Sequence, residues 1–185
     1  MDKDTTFRDW LAIVPFTDFR MQQYPRPSFV GRTPVPETLN DLTIGQLIEL
    51  STIGENNGEL YRIPEIILDM KPQTTARMRA VEVVQFIGWV TGEVQRINKL
   101  FEQAGGKPTE AEKRAGVNKL AFGLFGMLDW YALRMGYKDH DEVLNVGWMR
   151  IYKCIDMDNK KAEYNKRLQE EMINEYRRKN PRGRK

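Results

Sequence analysis

Histidine and cysteine each occur once in these 185 residues, as His140 and Cys154. One cysteine excludes an internal disulfide and a cysteine-based zinc knuckle. It fits a reducing, intracellular setting. One histidine excludes the paired-histidine metal helix, which needs two imidazoles on one helical face. No apolar run approaches the roughly 20 residues of a bilayer span, so the sequence reads as soluble and without a membrane partner. The first 20 residues carry Asp2, Asp4, Asp9 and Asp18 and lack the basic start and apolar centre of an export leader. The expected location is the cytoplasm. Walker A, G-x-G-x-x-G and G-x-S-x-G patterns are missing too. With no set of base, nucleophile and oxyanion donors in view, the sequence predicts neither an enzyme nor a cofactor.

Hydrophobic residues make up 41% of the chain and charged residues 30%, enough apolar content for one ordinary core. The net charge of +3 is unevenly spread. From Lys160 to Lys185 there are ten Lys or Arg against four Glu, a net of +6, which leaves −3 for the remainder. The body is mildly acidic and the C-terminal end basic. A basic end can seek nucleic acid or an acidic partner surface.

Five of the nine prolines, Pro15, Pro25, Pro27, Pro34 and Pro36, fall within residues 1–40. Aromatics are interleaved with them: Phe7, Trp10, Phe16, Phe19, Tyr24 and Phe29. Proline blocks helix, so this region reads as an extended arm after one short helical turn. Disordered leaders are poor in aromatics, so the arm is expected to dock on its own core or on a partner.

Helical periodicity dominates the rest. In "LTIGQLIELSTIG", Thr43 and Gln46 have capping-box spacing, Ile44, Leu47, Ile48 and Ile53 form a stripe, and Gly54 is a stop. "IPEIILDMKP" predicts a short helix with Pro64 in its first turn, closed by Pro72. The strongest pattern, Met78, Val81, Val84, Ile87, Val90, Val94, Ile97 and Phe101, predicts a helix over 75–103, capped by Thr74 or Thr75 and ended by Gly105 and Gly106. Gly88 and Gly92 lie four apart inside it and would admit a neighbouring helix closely. A further helix over 117–135 carries Leu120, Leu124, Leu128, Tyr131 and Met135 on one face. Thr109 and Glu112 have capping spacing before it, Gly123 and Gly126 allow close approach, and Gly136 ends it. From Trp148 the stripe Ile151, Ile155, Met157, Tyr164, Leu168, Met172 and Tyr176 thins into polar sequence, as on a helix rooted in the core and projecting outward. No segment reads as a strand. The expected fold is all-α. A single helical domain of about five to six helices spans residues 41–172, flanked by the arm over 1–40 and a basic tail over 173–185.

The stretch "KDHDEVL" looks like chemistry. Consecutive helical residues point about 100° apart, so Asp139, His140, Asp141 and Glu142 cannot converge on one ion. Asp139 instead suits an N-cap, with Glu142 at the third helical position near the positive helix end. "DMDN", Asp156 to Asn159, lacks the glycine and terminal glutamate of a calcium loop. No metal site is expected. Cys154 reads as a small buried hydrophobe, and Asp129 as a capping or salt-bridged acid. In the basic end, Arg177, Arg178, Lys179, Arg182, Arg184 and Lys185 are the candidates for phosphate or an acidic partner. They lack the aromatics that stack on bases.

The segments "DLTIGQLIEL", "VQRINKLFEQ", "AFGLFGMLDWYALRMGYKDHDEVLNVGWMRIYKC" and "KAEYNKRLQEE" together resemble tail assembly chaperones and related accessory proteins of tailed bacteriophages. The resemblance spans about Asp41 to Met172 and does not include the arm. It implies a non-enzymatic protein of the infected bacterial cytoplasm or the virion, which binds structural partners of the tape-measure or tail-tube type through apolar helical grooves. The helices 75–103 and 117–135 would line the groove. Trp89, Trp130, Tyr131, Trp148 and Tyr152 are the candidate anchors, since large aromatics dominate interface energetics. The competing reading makes most of them core. A virion connector or ring subunit and a small nucleic-acid-associated protein are the alternatives. Self-association into a homo-oligomer is compatible with all three.

Overall fold

A computed structural model describes residues 4–13, 24–53, 59–105, 108, 110–120 and 122–180. Its elements run α1 (Phe7–Ile13), β1 (Phe29–Val30), β2 (Thr33–Pro34), α2 (Ile44–Thr52), α3 (Arg62–Leu68), α4 (Pro72–Ala76), α5 (Ala80–Ala104), α6 (Glu110–Arg114), a 3-10 turn (Val117–Leu120), α7 (Gly123–Met135), α8 (His140–Leu144) and α9 (Trp148–Lys179). The fold is all-α, as its periodicity predicts. The helices outnumber the five to six expected, because two long patterns are each interrupted.

α5 is the centre of the domain, and α1, α2, α3, α9 and β1 all pack on it. Its buried line is Val83, Val84, Phe86, Ile87, Val90, Val94 and Ile97. Val81, expected on the core face, is exposed, because successive three-residue steps drift by about 60° around the helix and place it opposite Val90 and Ile97. The predicted helix from 75 is divided: α4 ends at Ala76, and Arg77 to Arg79 form a link. Pro72 therefore opens α4 from its first turn instead of merely closing α3, which ends on a left-handed Asp69 with φ of 52°.

Thr74 and Thr75 do not cap α5. Its first amide, on Ala80, donates to the Thr5 carbonyl at 2.9 Å, and the first amide of α1, on Phe7, donates to Met78 O at 2.8 Å. The same device recurs between α2 and α9: Ile44 N donates to Val146 O at 2.8 Å, and Trp148 N to Leu42 O at 3.1 Å. A single antiparallel bridge, Thr6 to Arg79 or Thr43 to Gly147, thus joins each pair of helix starts side by side. The orphan first-turn N–H groups that side chains usually cap are met by backbone from a distant segment. Arg79 and Gly147, at the N-cap positions of α5 and α9, make no side-chain capping bond. At α2 the expected capping box is also present, with Gln46 N donating to Thr43 Oγ1 at 3.1 Å and Thr43 N to Gln46 Oε1 at 2.9 Å.

The described part of the arm is docked. Phe7, Trp10, Val30, Val35 and Leu39 are buried in the same core as α5. A two-residue hairpin pairs Phe29 with Pro34 and Val30 with Thr33, where no strand was expected. Runs this short carry no readable alternation. Its turn needs Gly31, at φ of 58°, and the Gly31 amide donates to Glu82 Oε2 at 3.1 Å. Pro15, Phe16 and Phe19 of the arm lie outside the described residues, as do Gly54, Gly106 and Thr109.

The helix predicted from Val117 is also interrupted. Val117–Leu120 is a 3-10 turn, and α7 starts at Gly123 with φ of 57°. Gly126 does not receive a neighbouring helix: a Cβ there would meet Phe122 of its own first turn at 2.8 Å. The close helix approach is at Gly45 of α2, where a Cβ would lie 2.9 Å from the Leu144 carbonyl oxygen of α8. Gly136 ends α7 in the left-handed region at φ of 73°, as its position predicts.

Candidate functional site

The residues flagged for chemistry are structural. Asp139 caps α8, its side chain accepting from the Asp141 amide at 3.0 Å. His140 Nε2 lies 3.3 Å from Asp129 Oδ1 of α7, and its ring meets Phe125 edge-on at 4.9 Å. Both side chains are well exposed, so the pair is a surface tie between α7 and α8 contributing about 0–1 kcal/mol. Among the described residues no group of three or more His, Cys, Asp or Glu side chains converges as metal ligands would. Cys154 is half-buried and packs against the core. No described helix is long and apolar enough to cross a membrane.

The five candidate anchors separate into two groups. Trp89, Tyr131 and Trp148 are buried, so within this chain they are core side chains and not surface anchors. Trp148 is fully enclosed, and its indole Nε1 donates to Leu39 O at 2.7 Å. Tyr131 is equally enclosed, and its hydroxyl has no hydrogen-bond partner among the described residues. Burial therefore lifts its phenol above the ordinary value of 10.0. Trp130 and Tyr152 are half-buried. Arg134 lies over the Trp130 ring at 5.4 Å.

An open apolar groove of about 480 Å³ lies between α2, the end of α5 and the start of α7. Ile48 and Leu47 form one wall, Phe101 and Asn98 another, and Leu124 and Met127 the third. Sequence reasoning anticipated α5 and α7 here but not α2. Gly88 and Gly92 do not line it, whereas Gly123 does. Phe101 connects the groove to the interior: its ring meets Tyr152 at 5.8 Å and Trp148 at 6.0 Å. Tyr152 is thus one ring removed from the groove. Leu124 is exposed on the groove wall, and Leu120, Phe122 and Phe125, its neighbours in sequence at the entry to α7, are exposed as well. The reading of 117–135 as one helix set Leu120 and Leu124 on the same face as Leu128 and Tyr131, whereas the first two are exposed and the last two buried.

The second feature is α9. It packs on α5 and α2 through Trp148 and Ile151, and the Asn159 amide donates to the Ala104 carbonyl at the end of α5. Arg134 of α7 pairs with Asp158. From Lys160 to Asn180 every residue is exposed. Arg177, Arg178 and Lys179 of the basic tail form the last turn of this helix, and there they favour the negative helix end. Consecutive on a helix, they spread around it instead of forming one basic face. Arg182, Arg184 and Lys185 lie outside the described residues. In comparisons with known proteins, no family model, no curated protein and no solved structure matches this chain.

Proposed function

We propose that this chain is a non-enzymatic assembly protein, most like a phage tail assembly chaperone, which receives an amphipathic helix of a structural partner in the groove between α2, α5 and α7. The observation that carries the reading is the open apolar groove lined by Leu47, Ile48, Phe101, Met127 and the exposed Leu124. A helix about 10 Å across, with apolar residues at steps of three and four, suits such a groove. The partner class, a tape-measure or tail-tube type protein, comes from the sequence resemblance over residues 41–172.

The test is a pull-down from the native lysate with three forms of the full chain: unaltered, Leu124→Glu, and deleted from Arg177 onward. Leu124 is exposed, so its replacement leaves the core intact. The reading expects phage structural proteins with the unaltered and shortened chains and their loss with Leu124→Glu. Capture of nucleic acid that leaves with salt, and that is lost on deletion from Arg177, would refute it in favour of phosphate binding by the basic end.

A further inference from the structure

We infer that the projecting half of α9 is a self-association helix, which pairs antiparallel with the same helix of a second copy of this chain about a two-fold axis near Leu168. Beyond Asn159 the helix has left the body, yet it carries Tyr164, Leu168 and Met172, all large and exposed, in line with exposed Met157. At 3.6 residues per turn, Met157, Tyr164, Leu168 and Met172 fall within roughly 80° of one another and roughly 100° around the helix from the Ile151 face that packs on the body. The stripe is therefore a second face and not a continuation of the core seam.

An isolated helix of this length is marginal in water without a packed face. The ion pairs Lys160 to Asp156 at 2.8 Å and Lys179 to Glu175 at 3.7 Å are exposed and weak. Covering the stripe supplies what they do not. Four side chains at roughly 100 Å² each bury about 800 Å² over two helices, the size of a weak, reversible contact.

Charge near the two-fold axis favours this occupant and direction, while further out the same register sets Lys160 of each copy beside Arg178 of the other. Arg167 and Glu171 lie four residues apart on one flank of the stripe. In a two-fold antiparallel pair the same flanks meet, so Arg167 of each copy faces Glu171 of the other, twice. Leu168 meets Leu168, and Tyr164 lies opposite Met172. A parallel pair would set that flank against the other one, whose Ala162, Asn165 and Gln169 offer no opposite charge.

Sedimentation velocity of the full chain over a concentration series tests this, with far-UV circular dichroism as a check that helix is retained. A monomer–dimer equilibrium in the micromolar range is expected. Arg167→Glu and Glu171→Arg, each alone, should weaken it by about tenfold or more, because each sets like charges together twice. The double variant should return to within about threefold of the unaltered chain, as should a mixture of the two single variants. Leu168→Asp should abolish the dimer. A chain that stays monomeric up to ~200 μM, single variants without effect, or a double variant as weak as the singles would each overturn the inference. The groove variant Leu124→Glu should leave the dimer unchanged, which keeps this result separate from partner binding.

Discussion

Trp148 distinguishes a core role from an anchoring role most sharply. It is fully buried at the start of α9, between Phe101 and Tyr152, with its indole N–H on Leu39 O at 2.7 Å. Trp148→Phe keeps an aromatic ring but removes the donor. Leu39 O is then a buried acceptor without its partner, which costs about 1–3 kcal/mol. The smaller ring leaves part of the cavity unfilled, adding about 1 kcal/mol. The expected loss is about 2–4 kcal/mol, a large share of a typical domain stability of about 5–15 kcal/mol. Urea unfolding followed by far-UV circular dichroism would show the midpoint fall while the slope stays the same. A loss below ~0.5 kcal/mol, the range of surface substitutions, would refute the packing argument and return Trp148 to the surface as an anchor.

Gly45→Ala tests the contact of α2 with α8. Alanine's gain of about 1 kcal/mol in helix propensity should be outweighed by a Cβ placed 2.9 Å from the Leu144 carbonyl oxygen, giving a lower Tm. Asp139→Ala should cost about 1 kcal/mol through loss of the α8 cap, with no change in metal content by elemental analysis. Tyr131→Phe removes a buried hydroxyl without a partner among the described residues, and should be neutral or stabilising by up to ~1 kcal/mol in the same urea titration. Burial raises the phenols of Tyr131 and Tyr61 above 10.0, so the folded state holds these protons more tightly than the unfolded chain. Their stabilisation is complete below pH 10.0 and declines as pH rises from there through the folded values. Tyr131→Phe should therefore reduce the alkaline loss seen in pH-dependent melting.

What the sequence determined by itself was local. The capping box at Thr43, the Asp139 cap, the Gly136 stop and the projecting end of α9 are each written in a few neighbouring residues, because side-chain capping, left-handed glycine and 3.6-residue periodicity act over one or two turns. The all-α class followed from the same short-range signals. Only the tertiary structure decided the rest. Distant backbone bridges start α5 and α9, so no local residue announces those starts. Breaks at Arg77 to Arg79 and before Gly123 divide stripes that read as continuous, and beyond the second break Leu124 is exposed while Leu128 and Tyr131 of the same stripe are buried. The three most buried of the aromatic candidates could not be told from anchors in one dimension, since burial depends on which helices α5 gathers around itself. The groove likewise needs α2 brought beside α5 and α7, an arrangement fixed by long-range packing.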